Sequence, residues 1–249
     1  MHSTKQIIIF VFIMTSVVAV ILAGMSTALK PKHELNEAIY AKKAILAAVE
    51  KKLEITASEL TTEQVINIFD SKIKQDVFDM KGNPVTKDQI IAAGYKGGLA
   101  ESIDMIKESK KPESERLLPM YTLTDDSGKK TYIFSVIGKG LWDRIWGNIA
   151  VEEDLKTVAG VDFDHAGETP GLGAEIKDNA AWKRQFVGKR FVDNDGNITG
   201  VGVIKGGAKE PEWQVDGISG ATITADGVDE MLARGLGYYG PVIKSLQKS

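Results

Sequence analysis

Met120-Tyr121-Thr122-Leu123 and Thr131-Tyr132-Ile133-Phe134-Ser135-Val136-Ile137 stand on either side of Asp125-Asp126-Ser127-Gly128. Two runs rich in β-branched and aromatic residues around a turn-forming cluster predict an antiparallel hairpin. Ile145 to Val151 and Thr157 to Phe163 continue the pattern and extend the sheet. Asp193-Asn194-Asp195-Gly196-Asn197, followed by Ile198 to Ile204, reads as a further hairpin. That acidic run lacks the third acidic ligand and the distal glutamate of a calcium loop, so it is a turn. Helical spacing then returns in Ala225 to Gly235 (Val228, Met231, Leu232), and a last helix falls near Pro241 to Leu246. Together these elements predict an α+β fold, a twisted, mainly antiparallel sheet flanked by helices.

Upstream of Leu118 the reading is helical. Glu34 to Leu53 places Ile39, Ala44, Ile45, Ala48 and Val49 on one side. A second helix follows an N-cap at Thr61 or Thr62, with Val65, Ile66 and Phe69 inward. Lys81-Gly82-Asn83-Pro84 is a turn, and Lys87 to Glu108 is helical in two pieces broken at Gly97-Gly98. Ile7 to Leu29 carries no charge and is long enough to cross a hydrocarbon core of about 30 Å. Its small residues give a weak cleavage signal and no lipobox cysteine exists, so it reads as an uncleaved anchor. The expected organisation is a transmembrane anchor (1–29), a membrane-proximal helical region (30–117) and an α+β domain (118–249). Lys5 precedes the span, whereas Lys30, Lys32, Lys42 and Lys43 follow it. Charge counting alone puts the long domain in the cytoplasm, although long domains can translocate regardless of charge.

Composition removes several function classes. With no cysteine there is no disulfide, thiolate metal site or cysteine nucleophile. Histidines scattered at positions 2, 33 and 165 leave no metal pattern. A net charge of -3 gives no basic face for nucleic acid. Gly138-Lys139-Gly140-Leu141-Trp142 lacks the third glycine of a dinucleotide fingerprint and has no P-loop spacing.

Two constellations carry candidate chemistry. In His165-Ala166-Gly167-Glu168-Thr169-Pro170-Gly171-Leu172-Gly173, Pro170-Gly171 predicts a tight turn. Glu168 and His165 are possible acid/base groups, or the segment is a plain turn with a surface carboxylate. In Asp216-Gly217-Ile218-Ser219-Gly220-Ala221-Thr222, Gly217 and Gly220 let the backbone approach a bulky phosphate. A phosphate there would meet the open N–H groups of the following helix. The alternative is an ordinary Gly/Ser/Thr turn with Thr222 or Thr224 capping that helix. The run also resembles the recognition sequence at which a flavin transferase joins FMN to a threonine hydroxyl, which implies one covalent FMN on Thr222.

The motifs in combination resemble the C subunit of the sodium-translocating NADH:quinone oxidoreductase over nearly the whole chain. They are an N-terminal span, Gly140-Leu141-Trp142, Glu168 to Glu175 and Asp216 to Thr222. The G subunit of the Rnf electron-transport complex represents a sister family. Gly-Leu-Trp, Ala174-Glu175 and the long helical region before Leu118 favour the sodium pump. The resemblance implies an electron-transfer subunit of a membrane complex of six subunits, with no bond chemistry of its own on a metabolite. It places the soluble part on the outer face of the membrane and makes a flavin transferase a maturation partner. It implies that Ser219, Gly220 and Ala221 shape the phosphate turn and that Glu168, Thr169, Leu172 and Gly173 lie against the flavin, while Asp216, at the head of the run, is placed to bond within the turn or to be read by the transferase. A membrane-tethered scaffold with an unmodified turn is the remaining alternative.

Overall fold

A computed structural model describes residues 3–248. The chain divides into two compact units, one ending at Tyr40 and one starting at Ala41. The first is the greater part of α1 (Thr4–Ala48), a single helix that continues through Pro31. The sequence reading starts a separate helix at Glu34. Proline removes one backbone bond from a helix but fixes a helical φ, and here the helix runs on. At 45 residues α1 is about 68 Å long. Its apolar part is long and apolar enough to cross a membrane, and its side chains are exposed. Thr15 donates its hydroxyl to the Val11 and Phe12 carbonyls, and Thr27 to that of Ala23. Both hydroxyls are thus satisfied inside the helix, as an apolar solvent requires.

In the second unit α1 ends with Ile45, Leu46 and Ala48 buried, followed by α2 (Glu50–Leu53). Thr61 then starts α3 (Thr62–Lys72) with a reciprocal capping box to Gln64, and Val65 and Phe69 face inward. Next comes β1 (Ile73–Phe78), a strand where the sequence reading has only helices. It pairs with β2 (Leu118–Thr124) from Ile73↔Leu123 to Phe78↔Leu118. Between them lie α4 (Lys87–Ala92) and α5 (Met105–Ser109). Gly94, Gly97 and Gly98 all have positive φ, which makes the break between these helices longer than Gly97-Gly98 suggests. The meander continues through β3 (Lys130–Lys139), β4 (Arg144–Val151) and β5 (Val158–His165), giving an antiparallel sheet in sequence order.

Beyond the sheet, α6 (Glu175–Asp178) and α7 (Ala180–Arg184) lead to the Asp193 turn. The hairpin expected there is a single bridge, Val192↔Ile198. The chain then forms β6 (Gly202–Ile204), which pairs in parallel with β7 (Gln214–Asp216). The fold is α+β, as the sequence pattern indicates, with this short parallel pair added. α8 (Thr222–Tyr238) and α9 (Gly240–Leu246) close the chain.

One face of the sheet, with Phe134, Val136, Ile149 and Phe163, shares a core with Val228, Met231 and Leu232 of α8. The approach is close because glycines face it. A Cβ on Gly227 would strike the Lys139 carbonyl, and one on Gly235 would lie 2.7 Å from Val136 Cγ1. On β3, a Cβ at Gly138 would lie 2.6 Å from Met231 Cβ. The Tyr239 hydroxyl donates to the Pro119 and Ser135 carbonyls, tying the end of α8 to β2 and β3.

One turn design recurs. Asp79, Asp125 and Asp193 each accept, through Oδ1, from the N–H groups two and four residues on. The glycine three residues on adopts positive φ in each case. The Ser127 hydroxyl holds the Asp125 carboxyl below the usual range, and the Asn197 amide does the same for Asp193, with backbone N–H groups adding in both.

Gly227→Ala should destabilise the fold by ~1–3 kcal/mol, because α8 must move off β3. Gly237→Ala, with open space around its Cβ, should stabilise it by about 0.5–1 kcal/mol. Urea unfolding of the two variants checks the contrast. The turn carboxylates titrate lower folded than unfolded, so their bonds contribute fully above about pH 4 and are lost as pH falls through the depressed values. Asp125→Asn with Asp193→Asn should therefore lower the unfolding midpoint at pH 7 and flatten its fall toward pH 3.

Candidate functional site

The site begins where β7 ends. Asp216 is held at three points. Its carbonyl accepts from Trp182 Nε1 at 2.7 Å, its N–H donates to Gln185 Oε1 at 3.0 Å, and its Oδ1 accepts from the Ala208 N–H at 2.8 Å. The carboxylate therefore reaches out of the Asp216–Thr222 turn to the loop after β6. The Gly217 N–H donates to the Ile204 carbonyl at 2.8 Å, and a Cβ there would crowd the same oxygen. Gly220 has φ +77 and sits beneath Leu172, whose Cδ2 would lie 2.8 Å from an added Cβ. The Ala221 N–H closes the turn onto the Ile218 carbonyl.

α8 starts at Thr222 with buried Ala221 at its N-cap, so no side chain caps the helix. Neither threonine plays the capping role that the simple-turn alternative gives it. The Thr222 hydroxyl has no hydrogen-bond partner among the described residues. The N–H groups of Thr222, Ile223 and Thr224 have none either. All face the positive end of the helix dipole. Thr222 and Ser219 open onto a cavity of about 510 Å³ whose far wall is Lys205, Gly206 and Gly207.

Thr224 lies on the opposite side of the first turn, 1% exposed, and its hydroxyl donates to Glu168 Oε2 at 2.6 Å. Glu168 is itself 4% exposed, so it is not a surface carboxylate. Its Oε1 accepts from the Trp142 N–H at 3.0 Å, and its own N–H donates to His165 Nδ1 at 3.0 Å. With the carboxylate walled in and Nδ1 engaged by backbone, the two groups are joined through the chain rather than aimed together at a substrate. Gly140 and Gly173 press against the carboxylate. A Cβ at Gly140 would lie 2.5 Å from Oε1, and one at Gly173 would strike Oε2. Thr169 accepts from Trp142 Nε1 at 3.2 Å, while Leu172 covers Gly220.

The tertiary structure thus joins two motifs that are about fifty residues apart in sequence. Leu172 meets Gly220, and Glu168 meets Thr224. Leu141, Trp142, Leu172 and Ile223 expose apolar side chains in these segments, Leu172 over Gly220 of the turn, Trp142 bonded to Thr169 and Ile223 next to Thr222 in sequence. The candidates Thr222, Ser219, Gly220, Ala221, Glu168, Thr169, Leu172 and Gly173 all belong to this assembly, and Asp216 braces it from below. The sequence reading misses the loop Lys205–Gly207, Ile223 and the bond between Thr224 and Glu168. A Gly206-Gly207 pair straight after a short apolar run was the available signal for the loop.

Comparison with known proteins follows the same geometry. Residues 140–237 match the FMN-binding domain family, a span that holds Gly140 and both motifs. The C subunit of the Na(+)-translocating NADH-quinone reductase of Pseudomonas aeruginosa is 34% identical over 95% of this chain and 92% of the relative. The chain belongs to the NqrC family, the C subunits of Na(+)-translocating NADH-quinone reductases. The Vibrio anguillarum member is 32% identical over 96% of this chain and 92% of its own length. The crystal structure of the Parabacteroides distasonis member superposes with a TM-score of 0.71 at 31% identity, covering 86% of this chain and 96% of that one. NqrC of Shewanella oneidensis gives 0.71 at 25% identity, covering 86% and 99%. Membership of this family displaces both the Rnf-type alternative and the cofactor-free scaffold.

The residues of this NqrC-family chain fit an FMN. The cavity offers the Thr222 hydroxyl and Lys205 to a phosphate, the uncapped start of α8 adds unpaired N–H donors, and exposed Leu172, over Gly220, and Ile223 offer apolar surface to a planar ring.

Proposed function

We propose that this chain is the electron-transfer subunit of an NADH-quinone reductase that translocates sodium, with one FMN joined to Thr222 through a phosphoester. The observation that carries the attachment point is the unbonded Thr222 hydroxyl at the uncapped start of α8, facing the cavity. A flavin so held supplies one- and two-electron redox chemistry. Everything else is the work of the chain. The N–H groups of Thr222, Ile223 and Thr224 bind the phosphate oxygens, aided by the helix dipole. Ser219, Gly220 and Ala221 give the turn that lets the phosphate approach, and Lys205 adds positive charge across the cavity. Asp216 keeps loop 205–208 in place. Leu172, Ile223 and Trp142 give the ring an apolar, partly water-free surface. Gly173 leaves room for Glu168, and Thr169 holds the Trp142 indole.

In this reading residues 1–29 anchor the chain in the membrane and the α+β part carries the flavin. The other subunits of the reductase are its partners, and a flavin transferase attaches the FMN. The soluble part lies on the outer face of the cytoplasmic membrane. Family resemblance supports that side, whereas the lysines after the span argue for the other, and a long domain can cross despite such charges.

Intact-mass measurement on protein from a host with a flavin transferase should find the chain heavier by FMN minus water. Thr222→Ala should remove both that mass and the fluorescence of the denatured band. Loss of both in a Thr224→Ala chain but not in Thr222→Ala would place the attachment two residues later. For topology, a reporter active only outside the cytoplasm, fused after Ser249, should be active. Activity of a cytoplasmic reporter at the same place would reverse the assigned side.

A further inference from the structure

Ser219, Thr222 and Thr224 all bring hydroxyls to the start of α8. Yet each has a different environment. Ser219 is exposed in the turn, Thr222 opens to the cavity, and Thr224 is buried against Glu168. We infer that Glu168 is the positioning residue that makes Thr222 the flavin acceptor, by holding Thr224 and so fixing the rotation of the first turn of α8. The inference rests on the covalent reading above.

Helical geometry supplies the link. Successive residues turn by about 100°, so Thr222 points about 200° away from Thr224. Pulling Thr224 inward therefore turns Thr222 outward. The contacts of Gly227 and Gly235 set the helix on β3, and within its first turn the Glu168–Thr224 bond is the side-chain bond that fixes rotation. Ala221 provides no side-chain cap, and an uncapped first turn has open N–H groups and frays. The Glu168–Thr224 bond stands in for the missing cap from one position to the side.

The bond is well suited to that task. It is charge-assisted, short at 2.6 Å and shielded from water. The carboxylate has little freedom to leave it. Its other oxygen accepts from the Trp142 N–H, and Gly140 and Gly173 close around it. It forms no ion pair among the described residues, so its buried charge relies on these neutral donors and on the dipole of α8. Loss of one donor leaves a desolvated oxygen unpaired, which is why the arrangement is stiff.

The attachment step then has a defined acceptor. Thr222 Oγ bonds to the flavin-side phosphorus of a flavin dinucleotide. The phosphoanhydride bond breaks, the nucleoside monophosphate leaves with the electron pair, and the hydroxyl proton passes to the transferase or to solvent. Glu168 touches none of these atoms. It acts through Thr224 on the direction of the Thr222 hydroxyl. It also keeps the Thr224 hydroxyl from competing for the same phosphorus.

The test uses the full chain produced with a limiting amount of flavin transferase. Thr224→Val keeps the volume and removes the hydroxyl, Glu168→Ala removes the acceptor, and Thr224→Ser restores the bond. Flavin occupancy, and its position by peptide fragmentation, is read for each, with hydrogen exchange of the amides of Ala225 to Val228 on flavin-free protein. Thr224→Val and Glu168→Ala should slow attachment at Thr222 by about tenfold or more, the scale of a lost buried bond to a charged group. Both should speed exchange in the first turn, and Thr224→Ser should return both readouts toward the parent. If Glu168→Ala fails to fold, Thr224→Val decides. Attachment at the parent rate with unchanged exchange in Thr224→Val would overturn the inference. A parent chain that takes up no flavin would sink the covalent reading instead. The exchange measurement would still decide whether Glu168 orders the turn.

Discussion

The close approach of α8 to β3 is the constraint on which the site depends. Gly227 rests on the Lys139 carbonyl and Gly235 on Val136, while Gly138 leaves room for Met231. No side chain larger than hydrogen fits at these contacts without moving the helix. The same contacts set where α8 begins, and its beginning is where Thr222 stands. Because Lys139 leads directly into Gly140 and Trp142, the strand that receives the helix also delivers the loop that meets Glu168. A shift of α8 along β3 would separate the acceptor turn from the carboxylate that orders it.

The site combines two features that are each unfavourable in isolation. α8 starts without a side-chain cap, and Glu168 is buried with no ion pair among the described residues. An uncapped helix end leaves donors open, and a buried charge requires them. Part of the mismatch is resolved between the two, since Glu168 lies beside the positive end of α8 and accepts from Thr224. The N–H groups of Thr222, Ile223 and Thr224 stay open at that positive end, which is the condition for receiving a phosphate. Asp216, Trp182 and Gln185 brace the other end of the turn, so the acceptor run is fixed on both sides while its centre stays open.

Family membership and geometry bear on different questions. The relatives identify the NqrC family of a sodium-translocating reductase and a domain that binds FMN. The geometry explains how one short turn can offer a hydroxyl, phosphate donors and an apolar rim at once. Trp142 illustrates the difference. The sequence contains four tryptophans with no ranking among them. In the fold, Trp182 is a buried brace under Asp216, whereas Trp142 is 67% exposed and held by Thr169 at the edge of the site.

By itself the sequence determined whatever depends on local pattern. The β2–β3 hairpin, the strands β4 and β5, the closing helices, the apolar run before Leu29 and the two glycine-rich motifs follow from residue spacing and turn chemistry. Contacts between distant segments were decided only by the tertiary structure. β1 is a strand because β2 offers it an edge some forty residues on, and nothing in Ile73–Phe78 announces that partner. β6 and β7 are three residues each, too short for periodicity, and exist as a parallel pair. α1 runs through Pro31, where local propensity alone suggests a boundary. The decisive bond, Glu168 to Thr224, joins residues 56 positions apart through burial and glycine-permitted approach. A sequence shows which groups are able to donate and accept. Which of them are brought within bonding distance, away from water, is settled by packing.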